Sequence, residues 1–165
     1  RTFGDQKRWV NWRYEMNEKG KLTKVPYYSK TNKASSNNPT TWMTYENAQK
    51  NLNNIANEFD GIGIMFTPDQ KLLGIDLDHC MKDGVIIDAM SEKGKGNTVL
   101  ATKEELNNII KEANTYTEIS PSGEGLHLFL IITESLPLIR NKVEPYECYT
   151  SGRFFTVTNN SYDEK

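Results

Sequence analysis

Apolar and polar positions along this chain recur with two periods, one suited to strands and one to helices. Arg8-Trp9-Val10-Asn11-Trp12-Arg13-Tyr14 alternates bulky apolar with polar residues and predicts a first strand. Asn17 to Gly20 predicts a turn, and residues 21–27 an extended return, with Pro26 placing it at an edge or strand end. Residues 29–41 are loop by composition, and Trp42 reads as a core anchor. Thr44 predicts the N-cap of a helix to about Asn57 with an apolar stripe of Ala48, Leu52, Ile55 and Ala56. Residues 60–66 form a short apolar strand, then a turn at 67–70, then the apolar run 72–78. The two runs predict a hairpin in which Gly61 and Gly63 permit close backbone approach. Residues 79–100 carry no clear period beyond a guessed loop; Lys93 to Asn97 reads as a mobile loop tip whose Gly-Lys pair lacks P-loop spacing. Thr102-Lys103-Glu104-Glu105 is a capping box opening a helix to about Asn114, with Leu106, Ile109, Ile110 and Ala113 on its buried face. Strands follow at 116–119 and 126–132, and a hairpin at about 146–158 around Thr150-Ser151-Gly152. Strands flanking two helices in mostly antiparallel order predict an α+β fold with helices packed on one sheet face.

Chemistry enters at Leu72-Leu73-Gly74-Ile75-Asp76-Leu77-Asp78. Alternation along a strand puts Asp76 and Asp78 on one face and Ile75 and Leu77 on the other. Two ionised carboxylates side by side repel and resist leaving water, so they are either a solvated strand end or ligands of a hard divalent cation. In Ser120-Pro121-Ser122-Gly123-Glu124-Gly125-Leu126-His127, hydroxyls and glycine backbone precede a strand. Such a loop is either a tight turn or an anion-binding nest, and His127 either a satisfied core histidine or a donor to a triphosphate oxygen. Glu147 and Tyr149 share a strand face, and the expected hairpin returns Arg153 beside Tyr149. Glu147 and Arg153 are then either a cross-strand ion pair or a third acidic ligand beside a phosphate clamp. Three carboxylates make a two-metal site feasible, with ions roughly 3.5–4 Å apart. Lys21 and Lys24 are either phosphate contacts or surface lysines.

Composition narrows these readings. At 165 residues, 36% hydrophobic and 25% charged, the chain is a soluble globular domain, read as a single unit over residues 1–165. No apolar run approaches the ~20 residues of a membrane span. The chain begins at Arg1 without Met or a signal peptide, which suggests a piece of a longer protein. Cys80 and Cys148 are too few and too far apart in sequence for a disulfide scaffold, and read as reduced thiols of a cytoplasmic protein. A net charge of −2 argues mildly against strong nucleic-acid binding, which draws on many Lys and Arg; any grip on DNA needs a local basic patch.

The ordered blocks Gly-Ile-Asp-Leu-Asp, Ser-Pro-Ser-Gly-x-Gly-x-His and Glu-x-Tyr-x-x-x-Arg-Phe-Phe-Thr-Val-Thr resemble the primase-polymerase domains of phages, plasmids and other mobile elements. These belong to the archaeo-eukaryotic primase superfamily. The opening Trp-Val-x-Trp-Arg-Tyr-Glu, Lys-x-Thr-Lys-Val-Pro-Tyr and Asn-Pro-x-x-Trp segments are similar too, so the resemblance spans about residues 8–160. It implies an RRM-like catalytic core that transfers nucleotides from dNTPs or NTPs to a primer or first nucleotide on a single-stranded DNA template, with Mg²⁺ or Mn²⁺. By the same resemblance Asp76, Asp78 and Glu147 are metal ligands, His127 is a catalytic nucleotide contact, and Ser120, Ser122, Gly123 and Gly125 form the phosphate loop. Arg153 and Lys24 are further nucleotide contacts. Glu147 stands where many members have Asp. Family members commonly continue into a helical domain and a helicase, on which de novo priming often depends. Two other readings use the same residues: a metal-dependent nuclease or phosphohydrolase, and a non-catalytic module that binds DNA or docks a helicase.

Overall fold

The structure, a computed structural model, describes residues 5–91, 98–133 and 140–163. In chain order the strands are β1 (Trp9–Met16), β2 (Leu22–Tyr27), β3 (Gly61–Phe66), β4 (Leu72–Leu77), β5 (Met81–Lys82), β6 (Val85–Ile86), β7 (Ala89–Met90), β8 (Val99–Ala101), β9 (Tyr116–Ile119), β10 (Leu126–Ile131), β11 (Arg140–Val143), β12 (Tyr146–Tyr149) and β13 (Arg153–Val157). The helices are α1 (Tyr45–Asn53) and α2 (Lys103–Ala113). The fold is α+β, and the registered strand pairs are antiparallel. The chain divides into two compact units. One holds residues up to Phe66 plus Gly152–Val157; the other holds Thr67–Ser151 and the residues from Thr158 onward.

The first unit is a four-stranded sheet in the order β13-β3-β1-β2 with α1 beside it. The β1–β2 turn closes as the sequence predicts: the side chain of Asn17 accepts from the backbone N–H of Lys19 and Lys21, and Gly20 takes φ +71°. Alternation in β1 begins only at Arg13, because Trp9, Val10, Asn11 and Trp12 are all buried. Asn11 is accommodated by donating from Nδ2 to the carbonyl of Ala48 on α1 at 2.9 Å. Trp42 is a core anchor, packed with Val10, Ala34 and Met65, and its indole N–H donates to Ser35 O.

Thr44 caps α1 through its side chain, but the α-helix stops at Asn53 instead of Asn57. Asn54 is extended, and its side chain accepts from Ala56 N at 3.2 Å, so residues 55–57 form a short 3₁₀ turn. That local bond competes with helix continuation. Ile55, expected on the buried stripe, is 91% exposed as a result.

The second unit is a five-stranded sheet, order β11-β12-β4-β10-β9, with the small ladders β5-β6 and β7-β8 and the helix α2. Its core joins Leu77, Leu126 and Leu128 from the sheet, Leu106 from α2, Met81, Ile86, Ala89 and Ala101 from the ladders and Cys80 just before them, with Ile75, Ile110 and Ala113 packed against it. The capping box at Thr102 and Glu105 forms, and α2 ends in a left-handed Asn114. The segment expected as loop over 79–100 is therefore core-forming where it is described; the predicted loop tip at Lys93–Asn97 lies outside the described residues.

Two expected hairpins do not form. β3 pairs with β1 and β13, whereas β4 pairs with β10 and β12. β12 and β13 likewise belong to different sheets, although Gly152 takes the left-handed φ of +70° that the sequence predicts. Thr67–Lys71 and Thr150–Gly152 carry the chain from one unit to the other instead of folding a strand back on its predecessor. The glycines do permit close approach, but to other strands. A Cβ on Gly61 would meet the Trp12 ring at 2.7 Å, and one on Gly63 would meet Phe155 O at 2.8 Å.

Candidate active site

Strand register in the second unit lays five ionisable residues in one row across the sheet. Glu118 on β9 lies opposite His127 on β10, His127 opposite Asp76 on β4, Asp76 opposite Glu147 on β12, and Glu147 opposite Lys142 on β11. Directly opposed residues project from the same face, so the row is polar. The neighbouring positions Ile75, Leu77, Leu126 and Leu128 turn to the other face and into the core. Burial of that apolar face locks the register, since a slip of one residue would drive the carboxylates inward.

His127 is buried between two carboxylates. Its Nε2 lies 3.6 Å from Asp76 Oδ1, and its Nδ1 lies 3.5 Å from Glu118 Oε1. Glu118 is fully buried and well supplied with donors: the backbone N–H groups of Thr158 (2.9 Å) and Asn159 (3.1 Å) and the Tyr116 hydroxyl (3.0 Å) all donate to it. Such donors are what make a buried carboxylate tolerable.

Glu147 is also nearly buried. Tyr149 Oη donates to its Oε2 at 2.6 Å, and the Lys142 ammonium bonds its Oε1. The same ammonium lies 3.9 Å from Asp78 Oδ2. Asp78 follows the last residue of β4, and its backbone N–H donates to Pro145 O at 2.9 Å, which holds it beside the start of β12. One cation thus reaches both Asp78 and Glu147, and Asp76 adjoins Glu147 in register. Among the described residues no group of three or more His, Cys, Asp or Glu side chains is placed to hold a metal ion as it stands. Asp78 and Glu147 nonetheless share one ammonium, and carboxylate oxygens are the donor type that a hard divalent ion takes.

Loop 120–125 closes largely on itself. Ser120 Oγ accepts from Gly125 N at 3.1 Å, Ser122 Oγ accepts from Glu124 N at 3.2 Å, and Gly123 N donates to Ser120 O at 2.9 Å. The backbone N–H groups of 123–125 are therefore engaged within the loop. Gly125 is required by space, since a Cβ there would lie 2.6 Å from Leu77 O. Ser122 and Gly123 line a pocket of about 470 Å³ with His79, Lys82, Asp83 and Glu124. Lys24 and Arg153 belong to the first unit. Arg153 is exposed and borders a second pocket of about 460 Å³ with Ser35, Ser36 and Phe154, while Lys24 Nζ lies 5.8 Å above the Trp12 ring. Cys80 and Cys148 are both free thiols; burial pushes the Cys80 thiol up to about 12, so it is not a nucleophile.

Sequence reasoning missed Glu118 and Lys142. The signal for Glu118 is the Tyr116-x-Glu118 pair, which mirrors Glu147-x-Tyr149: in each, a carboxylate takes a phenol two residues away on its own strand face. Lys142 carries no such signal, because only the β11–β12 register places it opposite Glu147.

In an alignment of 162 positions that covers 94% of the chain, it is 32% identical to a protein named DNA primase-polymerase from Nitratiruptor phage NrS-1. This chain is a homologue of part of a phage DNA primase-polymerase. The motif resemblance to primase-polymerase domains is borne out by that match. The chain spans about a fifth of the relative's length, 19%. No family model matches it. No helix among the described residues is long and apolar enough to cross a membrane.

Proposed function

We propose that this domain is the catalytic core of a template-directed nucleotidyltransferase, built on an RRM-like primase fold and serving DNA replication in a mobile element. The observation that carries the reading is the cross-sheet row, in which Asp76 lies opposite both His127 and Glu147, with Lys142 reaching Glu147 and the neighbouring Asp78. Asp76, Asp78 and Glu147 would hold Mg²⁺ or Mn²⁺, in a one- or two-ion site. Bound there, such ions supply charge neutralisation at the transferring phosphoryl group and a lowered pKa for the attacking hydroxyl.

The protein's own contribution is placement. The strand register holds the carboxylates on a rigid sheet, and the packed apolar face keeps that register from slipping. His127, flanked by Glu118 and Asp76, is oriented to present Nε2 to the carboxylate side, from which it would donate to a triphosphate oxygen. Ser120, Ser122, Gly123 and Gly125 would line the phosphates. The substrates are a dNTP or NTP, a primer end and a single-stranded DNA template, and a helicase is the partner expected in the longer protein, in a bacterial cytoplasm.

Primer extension on a primed single-stranded template, with Mg²⁺ or Mn²⁺ and dNTPs, tests this directly. Asp76→Asn should lower template-dependent lengthening by at least about 100-fold, with circular dichroism unchanged. Equal lengthening by the variant sinks the assignment. Metal-dependent shortening of the DNA instead would make the site a nuclease, and no reaction at all would leave a binding module.

A further inference from the structure

We infer that Lys142 is a resident counter-cation of the carboxylate site and competes with the divalent ion for it. The inference rests on the metal-site reading above and adds a residue that reading does not contain. Glu147 has both oxygens engaged, Oε2 by Tyr149 and Oε1 by Lys142, so an ion arriving at Oε1 meets a positive charge on the same oxygen and binds better as the ammonium leaves. The same ammonium is 3.9 Å from Asp78 Oδ2, which places its single charge between two of the three proposed ligands.

The surroundings make the exchange feasible. Asp76, Asp78 and Glu147 bring three formal negative charges into a small region, and like charges held together need a compensating cation. Lys142 lies on β11, at the edge of the sheet, and its side chain is 52% exposed, whereas that of Glu147 is 9% exposed. The ammonium can therefore swing into water on its four-carbon stem while Glu147 stays in place. A half-exposed lysine pair is weak enough to be displaced by a dication, yet strong enough to hold the carboxylates together without one. Metal affinity is in consequence lower than the three carboxylates alone would set.

Lys142→Met keeps the stem and removes the charge. Mn²⁺ binding by electron paramagnetic resonance should tighten about two- to fivefold in this variant, the factor expected for loss of one such ion pair. Lys142→Arg should stay near wild type, and Lys111→Met, a lysine on α2 outside the site, controls for net charge. In chelator the Lys142→Met protein should melt below wild type, and saturating Mn²⁺ should raise its melting temperature by more than it raises that of wild type. Equal or weaker Mn²⁺ affinity in Lys142→Met overturns the inference while leaving the metal site intact. Failure of wild type to bind Mn²⁺, with no change in Asp76→Asn, overturns both.

Discussion

Glu15 shows how a single residue on the first sheet is tuned by its neighbours. Its carboxylate accepts from the Tyr27 hydroxyl, from Lys33 Nζ at 3.0 Å and from Arg13 Nε at 3.1 Å, and Arg13 also lies over the Tyr27 ring at 4.2 Å. The Tyr27 hydrogen bond is the largest influence, followed by Lys33, and the pKa falls from the usual 4.5 to about 2. A carboxyl depressed on folding stabilises the protein above its unfolded value and loses that contribution as pH falls through the folded one. Glu15→Gln should therefore melt below wild type at neutral pH, with the difference shrinking between pH 4.5 and pH 2. Thermal scans across that range check it; a gap that persists at the acid end would contradict the assignment. The Lys33–Glu15 ion pair is open to water, so added salt should narrow the share of the gap that this pair supplies.

Strand existence and helix caps are properties of an element, and most of them were legible. Thr44 and Thr102 cap where predicted because side-chain bonds to the backbone are settled within a few residues. Strand partnership is not local, and both expected hairpins failed for that reason. A turn-like stretch between two apolar runs has the same composition whether the chain folds back or crosses to another sheet. Gly63 decides the matter for β3: the backbone of β13 comes so near that a Cβ would sit 2.8 Å from Phe155 O. Gly63→Ala should destabilise the protein by about 1–3 kcal/mol, the usual cost of overpacking a backbone contact. Urea unfolding measures this. A cost within error of zero would mean that β13 does not lie against Gly63.

At the scale of the whole molecule, the second unit is pinned by Glu118, which ties β9 to the residues after β13 through Thr158 N and Asn159 N while facing His127. Glu118→Gln cannot satisfy all these donors, because one carboxylate oxygen becomes an N–H₂ facing a backbone N–H. A loss of about 1–3 kcal/mol follows from a buried unsatisfied donor, again by urea unfolding, and an unchanged midpoint would show that the segment from Thr158 is not held there. By itself the sequence determined the α+β class, the caps and the two-faced pattern of 72–78 and 126–130, and it singled out Asp76, Asp78, His127 and Glu147 as candidates. Those features follow from periodicity and side-chain chemistry over a few residues. Only the tertiary structure decided that β3 and β4 part company, that residues 79–91 help build a core, and that Glu118 and Lys142 complete the row. Register between strands far apart in sequence depends on which apolar faces bury together, and no local pattern encodes that choice.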